Sequence, residues 1–142
     1  MKHSLLILVA LATAASACGG GNSTSALPTT PAPSVTLTTE SFTGTVPVTG
    51  NDVHTFVVSQ TGEVDITLTA AGPPSTIFMG LGLGTLSGSS CVFLAGDTTR
   101  VQASTSPQLS GPSIPAGTYC VALYDIGNQA SPVTYSVTVV HS

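Results

Sequence analysis

The sequence predicts an all-β domain, an antiparallel β-sandwich of about seven or eight short strands. The first reason is composition. Only 6% of the residues are charged and 42% are hydrophobic, with Thr, Ser and Gly filling much of the rest. An ordinary soluble chain carries roughly 25% charged residues. Thr, Val and Ile branch at Cβ, which suits a pleated surface better than a helix. The second reason is alternation. Val64, Ile66 and Leu68 alternate with Glu63, Asp65 and Thr67. Tyr119, Val121 and Leu123 alternate with Cys120, Ala122 and Tyr124. Val133, Tyr135, Val137 and Val139 alternate with Thr134, Ser136, Thr138 and Val140. Each pattern puts apolar groups on one face, as antiparallel sheets over a shared core require. The third reason is the regular punctuation by turn residues described below.

The first elements concern export. Met1-Lys2-His3 is a short positive start, and Leu5 to Ala17 is apolar except for Thr13 and Ser16. As a helix that run would span about 20 Å, short of the ~30 Å hydrocarbon core of a bilayer. Residues 1–17 therefore read as a secretory signal peptide. Ala15-Ser16-Ala17 before Cys18 resembles the bacterial lipobox, which implies a lipid on Cys18, although the resembling motif usually has Leu where Ala15 stands. The same three residues also suit ordinary signal peptidase, which would leave Cys18 a free thiol. Gly19 to Ser34 is built almost wholly from Gly, Ser, Thr, Asn and Pro. Such a stretch buries too little apolar surface to order itself. Residues 18–34 thus read as a lipid-anchored flexible linker with a reach of roughly 20–25 Å, and residues 35–142 as the domain.

Within the domain, strands are expected near Ser41–Val48, Val53–Ser59, Val64–Leu68, Ile77–Leu86 and Cys91–Ala95. A weaker one is expected around Arg100–Thr105, and two more near Tyr119–Tyr124 and Val133–Val140. Gly50-Asn51-Asp52, Thr61-Gly62, Gly72-Pro73-Pro74, Gly88-Ser89, Gly96-Asp97, Pro115-Ala116-Gly117 and Gly127-Asn128 mark turns. Gly80-Leu81-Gly82-Leu83-Gly84 has the wrong spacing for a dinucleotide fingerprint. Another segment packed closely over bare backbone accounts for it better than a flat ligand platform does. Cys91 and Cys120 are expected to form a disulfide, as cysteines of an exported domain do. Two buried thiols, or Cys18 paired with one of them, are the alternatives.

Composition and spacing exclude several chemistries. The mature part has Arg100 against Glu40, Asp52, Glu63, Asp65, Asp97 and Asp125, too little positive charge for nucleic acid. His54 and His141 are its imidazoles. His54 is in phase with Phe56 and Val58 and reads as structural, while His141 sits where chain ends usually fray. Zinc spacings and the Gly-x-Ser-x-Gly elbow are missing, so no catalytic residue and no cofactor is assigned. Asn51, Asp52, Asp97, Asp125 and Asn128 offer oxygens for calcium, but turns favour the same residues, and no metal site is assigned.

Pro115-Ala116-Gly117-Thr118-Tyr119-Cys120-Val121-Ala122-Leu123 and Tyr135-Ser136-Val137-Thr138-Val139 resemble the bacterial pre-peptidase C-terminal (PPC) domain. Asn51 to Val58, with Gly62 and Val64 to Leu68, resemble that family's opening strands, and the likeness covers roughly residues 40 to 141. The resemblance implies a jelly-roll-like sandwich of the kind attached to secreted proteases, akin to collagen-binding modules, some of which bind calcium. The chain departs from that pattern in two ways. His54 stands where a second acid often follows Asp52, and no peptidase domain accompanies the module in these residues. Three functions are left open. One is a non-catalytic module at the cell envelope, on the membrane through lipid alone, binding a protein or polysaccharide. Another is a structural lipoprotein without a ligand. The third, a hydrolase, would need a pocket lined by His54 or several acids.

Overall fold

A computed structural model describes residues 34–142; the expected signal peptide, Cys18 and all but the last residue of the linker lie outside the described residues. Eight strands follow in order: β1 (Thr38–Val46), β2 (Asn51–Val58), β3 (Gly62–Gly72), β4 (Met79–Ser87), β5 (Ser90–Val101), β6 (Leu109–Ile114), β7 (Gly117–Tyr124) and β8 (Val133–His141). They form two four-stranded sheets, β1-β8-β3-β6 and β2-β7-β4-β5, with every pairing antiparallel. This order is that of an eight-stranded jelly roll. The β4–β5 hairpin joins neighbours in one sheet, and Gly88 supplies the positive φ of 62° at its turn.

The core lies between the sheets, where the expected alternation places it. Val64, Ile66 and Leu68 of β3 and Val133, Tyr135, Val137 and Val139 of β8 face Phe56 and Val58 of β2, Leu81 and Leu83 of β4, and Tyr119, Val121 and Leu123 of β7. All are buried. Each fully buried aliphatic side chain contributes about 1.5–3 kcal/mol relative to exposure.

The structure corrects four expectations. The segments around Cys91–Ala95 and Arg100–Thr105 are not separate strands, because β5 runs through Gly96-Asp97 and ends at Val101. That pair forms a bulge, with Gly96 at a φ of 88°. β6 had no counterpart in the sequence reading, since Gly111 and Pro112 disguise it. Pro112 is tolerated because β6 is an edge strand, where a missing N–H breaks no ladder. β7 is not one-sided: Cys120 and Ala122 are as buried as Val121. Finally, His141 does not fray. His141 and Ser142 are buried, the Ser142 carbonyl accepts the Ser59 N–H at 2.8 Å, and the Ser142 hydroxyl donates to the Gln60 carbonyl.

Candidate binding site

The outer side of the β2-β7-β4-β5 sheet explains the buried Cys120 and Ala122. On β7, Cys120, Ala122 and Tyr124 point outward, opposite Gly84, Gly82 and Gly80 of β4. On β5, Phe93 stands opposite Gly84 and Cys91 opposite Leu86. The register slips between Gly82 and Gly84, so that Leu94 to Asp97 stand against the single residue Leu83. The slip turns Phe93 back over the sheet.

The glycines make room for what covers them. A Cβ at Gly80 would fall on the Tyr124 ring, one at Gly82 on the Phe93 ring, and one at Gly84 on the backbone carbonyl of Val92. The two rings therefore lie over bare backbone, with centroids 5.6 Å apart and planes tilted by 31°. Such a pair adds about 0.5–1.5 kcal/mol beyond the area it buries. A disulfide joins Cys91 to Cys120, with Cα atoms 5.8 Å apart, and ties β5 to β7 across β4. In the chain-entropy account, closing that loop of about 30 residues stabilises the fold by roughly 3–4 kcal/mol. The tight covering expected for the Gly80–Gly84 stretch is what the structure shows.

Two loops complete the site. Asp125, just past β7, accepts the Thr49 N–H on Oδ2 at 2.8 Å. Its Oδ1 accepts the N–H groups of Gly127, Asn128 and Gln129 at 2.8, 3.1 and 3.3 Å. The Thr49 N–H above all, against the opposing effect of burial and with help from the other three, holds the Asp125 carboxyl below its ordinary value of 3.8. Thr49 itself adopts a φ of 59°, a left-handed backbone that β-branched residues rarely take. Its hydroxyl donates to the Val48 carbonyl at 2.7 Å. Between Thr49, Asn51 and Asp125 on one side and Cys91, Phe93 and Tyr124 on the other lies a concavity of about 400 Å3. A larger one, of about 690 Å3, opens on the other sheet beside Thr43, Thr45, Thr134 and Ser136. Its walls are hydroxyls, small side chains and backbone, and the Tyr135 ring beneath them is buried in the core. The smaller concavity has the richer chemistry.

The other sequence-predicted residues lie elsewhere. His54 stacks on Phe42 at 4.8 Å, with Nε2 2.7 Å from the Tyr135 hydroxyl and 3.9 Å from Asp52 Oδ2. Burial first, then the hydrogen bond and charge of Asp52, push the Tyr135 phenol above its ordinary value of 10.0. His141 Nε2 lies 2.9 Å from Glu40 Oε1, and its ring lies 5.2 Å from that of Phe56. Both imidazoles fasten the edge strand β1 to its surroundings. The turn oxygens weighed for calcium do not converge. Asp52 serves Tyr135, Asp125 holds four backbone N–H groups, the Asn128 amide donates to the Phe78 carbonyl at 3.1 Å, and Asp97 lies in the β5 bulge. Among the described residues, no group of three or more His, Cys, Asp and Glu is placed to hold a metal. Cys18 lies outside the described residues. Phe93 and Thr49 were not singled out in the sequence. The one available signal was that Phe93, two residues after Cys91, shares its face of the strand.

No family model matches the chain, and no curated protein matches it. Among solved structures, the chain is similar to Aeromonas hydrophila PliG, a periplasmic lysozyme inhibitor of g-type lysozyme. The identity is 17% and the TM-score 0.46, over 71% of this chain and 83% of that one. A likeness of that degree assigns neither a family nor a function.

Proposed function

We propose that this is an exported, non-catalytic module, held at the cell envelope by a lipid on Cys18 and a flexible linker over residues 18–34. Its PPC-like body, residues 35–142, binds a protein or polymer through the Phe93–Tyr124 face. The carrying observation is the aromatic pair left at the surface on a glycine-floored, disulfide-tied sheet. Rings held in place before an encounter lose little freedom on binding, so more of their contact energy appears as affinity. The histidines support a non-catalytic reading. His54 is engaged by Phe42 and Tyr135, and His141 is buried against Glu40. The resemblance at residues 115–123 and 135–139 supports the PPC-like reading of the body.

The address is tested by growing cells that express the full chain with an alkyne-tagged fatty acid and then fractionating them. The intact chain should sediment with membranes and carry the tag, and the Cys18→Ala variant should do neither. A soluble, untagged intact chain would overturn the anchor. Binding is tested with a photo-crosslinking residue in place of Leu86, which is exposed opposite Cys91 and outside the lining of the concavity. A discrete adduct with one envelope component supports the reading, and an absence of adducts on intact cells refutes it.

A further inference from the structure

We infer that the concavity over Phe93 and Tyr124 takes a neutral sugar unit of a glycan, stacked on the rings with its hydroxyls toward Asn51, Thr49 and Asp125. This inference rests on the binding-module reading above and names the ligand class of the same site. Each ring has backbone beneath it, at Gly82 for Phe93 and at Gly80 for Tyr124, which leaves the opposite ring faces turned away from the sheet. Phe93 is 37% exposed. A pyranose has the complementary surface, a patch of C–H groups on one face and hydroxyls around the edge. The electron-rich ring face attracts those hydrogens, and a few polar groups at the rim fix orientation.

Size and charge narrow the class. A volume of about 400 Å3 lies within the ~300–1,000 Å3 range of small-ligand sites. A standard protein interface instead spreads over ~800 Å2 per partner. The wall carries the Asp125 carboxylate and no cationic side chain. An acidic sugar or a phosphate would meet repulsion there. Arg100, the one cation among the described residues, is engaged over the Phe78 ring at 4.2 Å. The Asp125 carboxylate is ionised at neutral pH, as an ordinary Asp is and the more so with backbone N–H groups lowering its value, and a carboxylate can accept further bonds from sugar hydroxyls. The disulfide and the Thr49–Asp125 bond set the walls in advance, which suits a ligand whose individual contacts are weak.

The full chain in detergent is tested against cellulose, chitin, mannan and β-1,3-glucan, with the polyuronate alginate as the acidic comparison. Soluble oligosaccharides of each are titrated by calorimetry and by tyrosine fluorescence, a clean reporter because the chain has three Tyr and no Trp. We expect retention on at least one neutral glycan. Affinity should fall about tenfold or more in Phe93→Ala, the loss typical of a truncated aromatic anchor. It should also fall in Asn51→Ala, which keeps the sheet intact. Retention on none of the four, retention on alginate alone, or binding unchanged in both variants overturns the sugar assignment. A Leu86 crosslink to an envelope protein together with no glycan binding would leave the binding module standing and the sugar refuted. Loss of both signals would refute both.

Discussion

The two outer faces of this sandwich obey the same alternation and end in opposite states. On the β1-β8-β3-β6 sheet, Ser41 and Thr43 of β1 stand opposite Thr138 and Ser136 of β8, and Thr138 stands opposite Thr67 of β3. These hydroxyls meet water, and Ser41 and Thr138 lie within 3.4 Å of each other. On the other sheet the corresponding positions are Gly80, Gly82 and Gly84, and rings, a disulfide and backbone cover them. Alternation says only which side chains face the core. Whether the far side stays wet depends on what the residues there leave room for.

The comparison can be broken most forcefully at the disulfide. Replacing Cys91 and Cys120 together with Ala should cost roughly 3–4 kcal/mol in denaturant unfolding. A loss below about 1 kcal/mol would mean that the covering holds itself. Gly82→Ala and Gly84→Ala come next, each costing about 1–3 kcal/mol from overpacking. They should part in a Phe93→Ala background. The Gly82 penalty should largely vanish with the ring, a coupling of about 0.5–3 kcal/mol, while the Gly84 penalty persists because backbone obstructs it. Equal penalties in both backgrounds would disprove the ring-over-glycine account.

Asp125 gives a pH-dependent effect. Its carboxyl titrates lower when folded than when unfolded, so its contribution is present above the ordinary value of 3.8 and disappears as the pH falls through the lowered one. Asp125→Asn should therefore lower stability at neutral pH and flatten the acid limb of a stability–pH curve. An unchanged acid limb would count against the clasp. The smallest effect belongs to the hydroxyl face. Thr43→Ala and Ser41→Ala should each change stability by no more than about 0.5 kcal/mol, as exposed substitutions usually do. A larger loss at either would show that this face is less independent than its exposure implies.

The sequence disclosed the parts of this molecule that depend on local periodicity. Three strands and their inward residues, the sandwich class and the partners Cys91 and Cys120 all follow from period two and from cysteine chemistry. What it hid depends on register. Phe93 meets Tyr124 only because β5 slips against β4, and no spacing within Cys91–Ala95 announces that slip. The Gly96-Asp97 pair looks the same in a turn as in a bulge, so β5 read as two strands. Gly111 and Pro112 mimic a loop until the edge position of β6 is known. The end of the chain reads as loose because its partners lie far along the sequence, Glu40 on His141 and Gln60 on Ser142, and leave no trace nearby.

The fastening of β1 has a mechanical meaning. Thr38 opens that strand beside His141, and two residues later Glu40 grips the same imidazole. Phe42 then leans on His54, and Gly44 lies beneath Asp52 and Tyr135. An outermost strand usually peels first when a protein is tugged. Here any load transmitted through residue 38 would meet a row of side-chain rivets along the seam before the backbone ladder could unzip.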